Sequence, residues 1–289
     1  MDSYSPFDSL IFDLDDTLYS SSIGFGDATK RNIDDFLVEK CGFEPRKASA
    51  LRVQLFKTYG STLAGLRALG YDVDADEYHS IVHGRLPYHL INPDHQLRDL
   101  LLTITQRKII FTNSDRAHAI KALNLLGIAD CFEQIICFET MNPNLFNSKS
   151  KSEDFPVVLK PSLEAFNIAI DAAQVDPTTT LFFDDNVGNI AAAKAVGLHT
   201  AVVGKTMVTN GADYALEKIH DLSQVIPEIW VTLTQNKTQQ KKRKVKSQEQ
   251  ENTASTLTLT LTLSGDHLLS SGHPSPASFF SGDRLNELF

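Results

Sequence analysis

The chain has 289 residues, of which 42% are hydrophobic and 22% are charged, and this composition is typical of a folded globular protein. Its 27 Lys and Arg residues against 36 Asp and Glu residues give a net charge of −9, which argues against a nucleic-acid-binding protein as a whole. No stretch reaches the roughly 20 apolar residues of a membrane span, and no basic cluster opens the sequence as in a secretory signal, so we predict an intracellular protein.

Short apolar runs bounded by polar or turn residues predict buried strands. These runs lie at 7–12, 107–112, 133–138, 179–183 and 199–203. Between the later runs, patterns of helical period with capping residues predict helices within 114–127, 160–173 and 186–197. Repeated strand–helix–strand units predict the α/β class, with a doubly wound parallel sheet.

The gap between the first two strands is too long for a single crossover helix. It contains amphipathic patterns at 24–40, 47–60 and 76–83, which predict a helical domain inserted after the first strand. We therefore expect residues 1–18 and 106–230 to form the α/β core and residues 19–105 to form a helical cap.

Acidic residues follow two of the predicted strands. Asp13 and Asp15 end the first strand, and Asp184 and Asp185 end the run at 179–183. In an open α/β sheet, ligands bind at the carboxyl ends of the strands, and carboxylates gathered there would repel one another unless a cation joined them. The sequence therefore predicts a Mg²⁺ site, because this ion prefers oxygen ligands, and Lys160 is a candidate for a compensating positive charge.

Four motifs in this order, "FDLDDTLY", "FTN", "LKP" and "FFDDN", resemble the signature motifs of the haloacid dehalogenase superfamily. The resemblance covers about residues 7–226 and implies a Rossmann-like core with an inserted helical cap. Within the superfamily, "YGSTLAGL" and the stretch from Phe111 to Ile135 are similar to the pyrimidine 5′-nucleotidase branch. A phosphatase rather than a dehalogenase is expected, because a dehalogenase needs neither a second Asp nor a metal.

The resemblance implies a role for each motif residue. Asp13 is the expected nucleophile that forms an aspartyl-phosphate, and Asp15 is the expected general acid, then base, whose backbone carbonyl also serves the metal. Thr112 and Lys160 are expected to bind the transferring phosphoryl group. Asp185 is expected to bind Mg²⁺ directly and Asp184 through water or to Lys160, and the reverse assignment is open.

Substrate choice is expected to lie in the cap, with Tyr59 and Thr62 beside the leaving group and Asn113 contributing from the core. The alternative for Tyr59 is a packing contact between two helices, in which glycines adjoin the helix ends. His79 and His83 have the i, i+4 spacing of a metal site, but no third ligand is evident, so we interpret them as structural.

After Trp230 the composition changes, and residues 231–289 are predicted to form a disordered tail rich in polar and basic residues. The run "KKRKVK" at 241–246 resembles a nuclear import signal, so an import receptor is a candidate partner and the predicted location is cytoplasmic, nuclear or both. The alternative is a solvated basic run.

The sequence favours a Mg²⁺-dependent phosphomonoesterase acting on a small phosphorylated metabolite, with pyrimidine nucleoside 5′-monophosphates as the leading substrates. Two alternatives stay open at this point. One is a phosphatase for sugar or lipid phosphates, and the other is a nuclear adaptor whose catalytic core is vestigial.

Overall fold

The computed structural model describes residues 5–146 and 156–231. All of the predicted tail except residue 231 lies outside these ranges. The described helices include none that is both long and apolar enough to cross a membrane.

The described residues form a six-stranded parallel sheet with the strand order β3-β2-β1-β4-β5-β6. The strands are β1 (Ser9–Phe12), β2 (Arg107–Phe111), β3 (Gln134–Ile136), β4 (Thr180–Asp184), β5 (His199–Val203) and β6 (Tyr214–Leu216). This topology confirms the predicted α/β class and the doubly wound parallel sheet. The short strand β6 was not predicted, because three residues carry too little periodicity to stand out from a loop.

Helices cover both faces of the sheet. In chain order after β2 they are α6 (Arg116–Leu126), α7 (Phe138–Met141), α8 (Leu163–Ala173), α9 (Val187–Ala195) and α10 (Leu222–Val225). Residues of β1 alternate between the two faces, as in any strand. Leu10 and Phe12 pack in one core with α6, and Ile11 packs in the other with α8 and α9.

Five helices lie between β1 and β2, in what we call the helical segment, residues 19–105. They are α1 (Phe25–Glu39), α2 (Pro45–Tyr59), α3 (Thr62–Ala68), α4 (Ala75–Val82) and α5 (His95–Thr103). Helices α1 to α4 contribute to a third apolar cluster that includes Phe36, Leu55, Leu66 and Tyr78. Helix α5 instead packs against the sheet through Leu97 and Leu101.

The chain turns directly after β1 instead of continuing as an extended run. Asp16 has a φ of 60°, in the left-handed region that Asp tolerates better than most residues. Leu14 is fully buried, so the turn is anchored between its acidic residues. The turn directs the chain away from the sheet towards the helical segment and leaves Asp13 and Asp15 at the carboxyl edge.

Candidate active site

The candidate site lies where the strand order reverses. β1 pairs with β2 on one side and with β4 on the other, with Phe12 opposite both Ile110 and Phe183. Connections leave such neighbouring strands in opposite directions, which opens a crevice at their carboxyl ends. Asp13 follows β1, Thr112 follows β2, and Asp184 is the last residue of β4, so the topology brings these three residues to the crevice.

Lys160 connects the acidic residues of two strands. Its Nζ donates to Asp13 Oδ1 at 2.7 Å and to Asp184 Oδ2 at 2.8 Å. A third bond runs to the carbonyl of Phe111 at 2.8 Å. The Lys160 side chain is 1% exposed, and a charge so deeply buried is stable only when it is paired and hydrogen-bonded. The lysine therefore fixes the distance between Asp13 and Asp184.

Asp184 is held by residues beyond the predicted set. Its Oδ1 accepts bonds from the backbone N–H of Asn186 at 2.9 Å and from Asn189 Nδ2 at 2.9 Å. Asp13 has a second partner in Thr17, whose hydroxyl donates to Oδ2 at 3.1 Å. Both carboxylates are thus oriented before any ligand binds.

The acidic cluster fits a divalent cation. Asp13, Asp184 and Asp185 each offer an oxygen, and these atoms lie within 4.8 Å of one another. Three carboxylates and the Lys160 ammonium leave an excess of about two negative charges, and an all-oxygen donor set suits Mg²⁺. The side chain of Asp15 does not belong to this cluster, so of that residue only the backbone carbonyl remains a candidate ligand.

The carboxyl groups of Asp13 and Asp185 have raised pKa values, because they are buried close to other acidic groups. Burial raises the pKa of Asp13 above its usual value, with Asp184 and Asp15 adding repulsion and Lys160 opposing the shift. Burial and the neighbouring Asp184 raise the pKa of Asp185 to about 6. A bound cation would lower both values, because it stabilises the charged form of each carboxyl.

The side chain of Asp15 points to a different set of partners. Its Oδ2 accepts from Ser114 Oγ at 2.8 Å, and its Oδ1 accepts from His118 Nε2 at 2.8 Å and from the hydroxyl of Tyr19. Burial alone would raise the pKa of Asp15, but the charge and hydrogen bond of His118, with the bonds from Tyr19 and Ser114, hold it below its usual value. The same pairing outweighs burial and raises the pKa of His118.

The two polar residues of the "FTN" motif, Thr112 and Asn113, make different contacts. Thr112 is 1% exposed, and its hydroxyl accepts from the backbone N–H of Ser114 at 3.0 Å. Asn113 pairs with the backbone of Lys160, donating to its carbonyl at 3.0 Å and accepting from its N–H at 2.8 Å. The Asn113 amide thus holds the lysine backbone in place, although the residue also lines the cavity described next.

A cavity of about 430 Å³ lies between the sheet edge and the helical segment. Asp15, Asn113 and Ser114 line it from the core side, and Thr62 lines it from α3. Its apolar lining comes from both parts of the chain and includes Phe25, Ile33, Leu63, Val82, Leu86, Phe138 and Leu159. A volume in this range suits a small organic molecule.

Of the two predicted residues in the helical segment, one lines this cavity. Thr62 is 3% exposed, and it hydrogen-bonds the buried Tyr78. Tyr59 is not part of the lining. Its ring lies against Gly65, where an added Cβ would come within 2.9 Å of Tyr59 Cδ2, which is the packing contact considered as the alternative.

The two histidines of α4 and its C-cap do not join the acidic cluster. His83 Nδ1 pairs with Asp115 Oδ1, and the rings of His79 and His83 stack with centroids 5.3 Å apart. Both line the cavity. Burial, with the charge of His83, lowers the pKa of His79 to about 3, so His79 is neutral at ordinary pH.

Residues 7–197 match the model of the haloacid dehalogenase-like hydrolase family, and the chain belongs to this family of hydrolases. It is 28% identical over 196 residues to Phosphate metabolism protein 8 of Saccharomyces cerevisiae, an alignment that covers 65% of this chain and 58% of that protein. The chain thus matches somewhat more than half the length of this curated relative.

Solved structures show the same fold at low sequence identity. A HAD phosphatase from Thermococcus onnurineus has a TM-score of 0.52 and 17% identity, over 75% of this chain and 97% of that one. CbbY from Rhodobacter sphaeroides, solved in complex with phosphate, has a TM-score of 0.50 and 16% identity, over 75% and 96%.

Sequence reasoning missed several residues that hold the site together. They are Asn189 as a partner of Asp184, and Tyr19, Ser114 and His118 around Asp15. One signal was available for His118: it lies in the first turn of a helix capped by Asp115, directly after the strand that carries Thr112. Such a turn faces the carboxyl edge of the sheet.

Proposed function

We propose that the protein is a Mg²⁺-dependent phosphomonoesterase that hydrolyses pyrimidine nucleoside 5′-monophosphates through an aspartyl-phosphate intermediate. The observation that carries the proposal is the Lys160 ammonium between Asp13 and Asp184, with Asp185 beside them. An ammonium and a divalent cation around a buried carboxylate form a binding site for a phosphoryl group, because the two cations compensate the negative charge of the phosphoryl group.

Asp13 is the proposed nucleophile. Its carboxylate is fixed by Lys160 on one oxygen and by Thr17 on the other, so it is oriented for in-line attack on phosphorus without further rearrangement. Asp13, Asp184 and Asp185, with the backbone carbonyl of Asp15, would hold Mg²⁺. When bound, the ion supplies charge that stabilises the phosphoryl oxygens in the transition state.

Asp15 is the proposed acid and base. Its low pKa in the free site favours the carboxylate, the form that can accept a proton from water during hydrolysis of the intermediate. A phosphate dianion bound next to it raises the pKa through repulsion, and this favours the protonated form that the leaving oxygen needs.

The cavity supports a leaving group that carries an aromatic ring. Its lining combines apolar side chains with the His79 and His83 rings, and a flat heterocycle can stack on such rings. Thr62 offers a hydroxyl on the side of the helical segment, which would act as a cap that excludes water from the reaction. The proposed placement puts the pyrimidine in this cavity with its ribose towards Asp15.

The test is a substrate panel with and without Mg²⁺, using pyrimidine and purine 5′-monophosphates, a sugar phosphate, a lipid phosphate and p-nitrophenyl phosphate. We expect the highest kcat/KM for the pyrimidine nucleotides, and turnover that is lost on chelation and regained with Mg²⁺. Asp13→Asn, prepared in parallel, controls for a contaminating phosphatase.

Each alternative has its own outcome in this panel. Higher kcat/KM for a sugar or lipid phosphate would remove the pyrimidine assignment and keep the phosphatase. An absence of hydrolysis for every substrate in the presence of Mg²⁺ would contradict the enzyme proposal and favour the adaptor.

A further inference from the structure

We propose that His118 is a positioning residue that fixes the Asp15 carboxylate so that Oδ2, and not Oδ1, exchanges the catalytic proton. This inference rests on the proposed function, since it assigns an atom and a supporting residue to the acid and base role of Asp15. It concerns a buried network in which His118, Ser114 and Tyr88 lie outside the four sequence motifs.

The hydrogen bonds around Asp15 differ between its two oxygens. An ionised carboxylate has about four lone-pair sites, two on each oxygen. Oδ1 accepts from both His118 Nε2 and the Tyr19 hydroxyl, so both of its sites are used. Oδ2 accepts from Ser114 Oγ, which leaves one site. The Asp15 side chain is 35% exposed and lines the cavity, so it is within reach of a ligand there.

The position of His118 is itself fixed. The residue is 2% exposed, and its Nδ1 lies 2.8 Å from the hydroxyl of Tyr88. Its backbone N–H donates to the helix N-cap Asp115 at 3.2 Å. With partners on both ring nitrogens, the ring cannot turn, and Nε2 donates to Asp15 whether the imidazole is neutral or charged.

The network joins the helical segment to the core. Tyr88 and His83 lie in residues 19–105, and their partners His118 and Asp115 lie on α6 and at its N-cap. The rings of His118 and His83 also lie in contact, with centroids 5.0 Å apart and planes tilted by 38°. The orientation of Asp15 therefore depends on contacts from both sides of the cavity.

The assigned atom closes the proton balance of a turnover. In the first half, an Asp13 oxygen bonds phosphorus while the bond between phosphorus and the leaving oxygen breaks, its electron pair stays on that oxygen, and the proton on Oδ2 moves to it. In the second half, Oδ2 takes a proton from the water whose oxygen bonds phosphorus while the bond to Asp13 breaks. The proton taken from water is the one given to the next leaving group.

The test compares kcat/KM for phenyl and alkyl phosphates, whose leaving groups differ in pKa. The value of kcat/KM is used because it reports on the steps up to leaving-group release. His118→Met should lower kcat/KM for an alkyl phosphate by about 30-fold or more, within the usual range for general acid catalysis. The loss for p-nitrophenyl phosphate, which needs no proton, should stay below about fivefold.

A conservative variant distinguishes a positioning role of His118 from a packing role. In His118→Gln the side-chain amide can place a donor close to the former Nε2, so this variant should regain at least about tenfold of the alkyl loss. Equal losses for the two substrates in His118→Met, or no recovery in His118→Gln, would overturn the proposal. His199→Met, at the opposite edge of the sheet, is the matched control for replacing a histidine.

Two further variants keep the outcome interpretable. If His118→Met fails to fold, Tyr88→Phe removes only the partner of Nδ1 and should produce a smaller loss with the same dependence on the leaving group; a uniform loss counts against the proposal. If the loss in Asp15→Asn depends on the leaving group but the losses in His118→Met and Tyr88→Phe do not, the His118 proposal fails and the proposed function stands. If the wild-type protein hydrolyses none of the substrates, the proposed function itself fails.

Discussion

Removing the Lys160 ammonium should destabilise the fold as well as abolish activity. In Lys160→Met the stem is replaced by a side chain of similar length, so the main loss is the charge and its three hydrogen bonds to Asp13, Asp184 and the Phe111 carbonyl. The Lys160 and Asp184 side chains are 1% and 0% exposed, so water cannot replace the lost donor.

The magnitude follows from this burial. Removing one partner of a buried ion pair costs about 3–5 kcal/mol, and for a chain of this size that corresponds to a fall of about 10 °C in Tm. The loss should shrink when Mg²⁺ is added, because a divalent cation in the acidic cluster offsets part of the repulsion that the lysine had compensated.

The assay is urea unfolding of wild type and variants with and without Mg²⁺. Lys194→Met is the matched control, because Lys194 also bonds a carboxylate, at 2.6 Å to Asp213, but its side chain is 44% exposed. A surface pair of this kind contributes about 0–1 kcal/mol. Adding Asp184→Asn to Lys160→Met should recover part of the loss. If Lys160→Met costs no more than Lys194→Met, the reasoning from burial is wrong.

Three further predictions test the nucleophile, a buried histidine and the tail. Asp13→Asn should abolish turnover while Tm without Mg²⁺ holds or rises, since the amide relieves carboxylate repulsion; substantial hydrolysis by the folded variant would rule out Asp13 as nucleophile. Burial lowers the pKa of His79 to about 3 in the folded chain, whereas its pKa is about 6.5 in an unfolded chain. Between these two pH values, His79 therefore binds a proton in the unfolded chain and not in the folded one. Stability therefore falls as the pH falls from about 6.5, and His79→Gln should reduce that slope by up to about 1.4 kcal/mol per pH unit in urea unfolding, whereas an unchanged slope would contradict the shift. Deleting residues 232–289 should leave kcat nearly unchanged, because the proposed catalytic groups lie between residues 13 and 185, and replacing the basic residues of 241–246 with Ala should move a large fluorescent fusion from nucleus to cytoplasm. A large fusion that stays cytoplasmic with the basic run intact would favour the solvated-run alternative.

Local pattern determined the sheet and the location of the candidate site. Apolar runs identified five of the strands, and since parallel strands present their carboxyl ends at one edge, Asp13 and Asp184 could be expected to meet there. The helical period likewise placed α1, α2 and α4 between the first two strands. The short elements α3 and β6 were not predicted, because too few residues repeat in them.

Tertiary structure decided which atoms meet. Asp184 and Asp185 are adjacent in the sequence, yet the strand places Asp184 inward against Lys160 and Asn189 and leaves Asp185 half-buried at the edge. The contact of Asp15 with His118 joins residues 103 positions apart. No local periodicity encodes such a contact, because it depends on where α6 starts relative to the turn after β1, and that geometry exists only once the sheet has assembled.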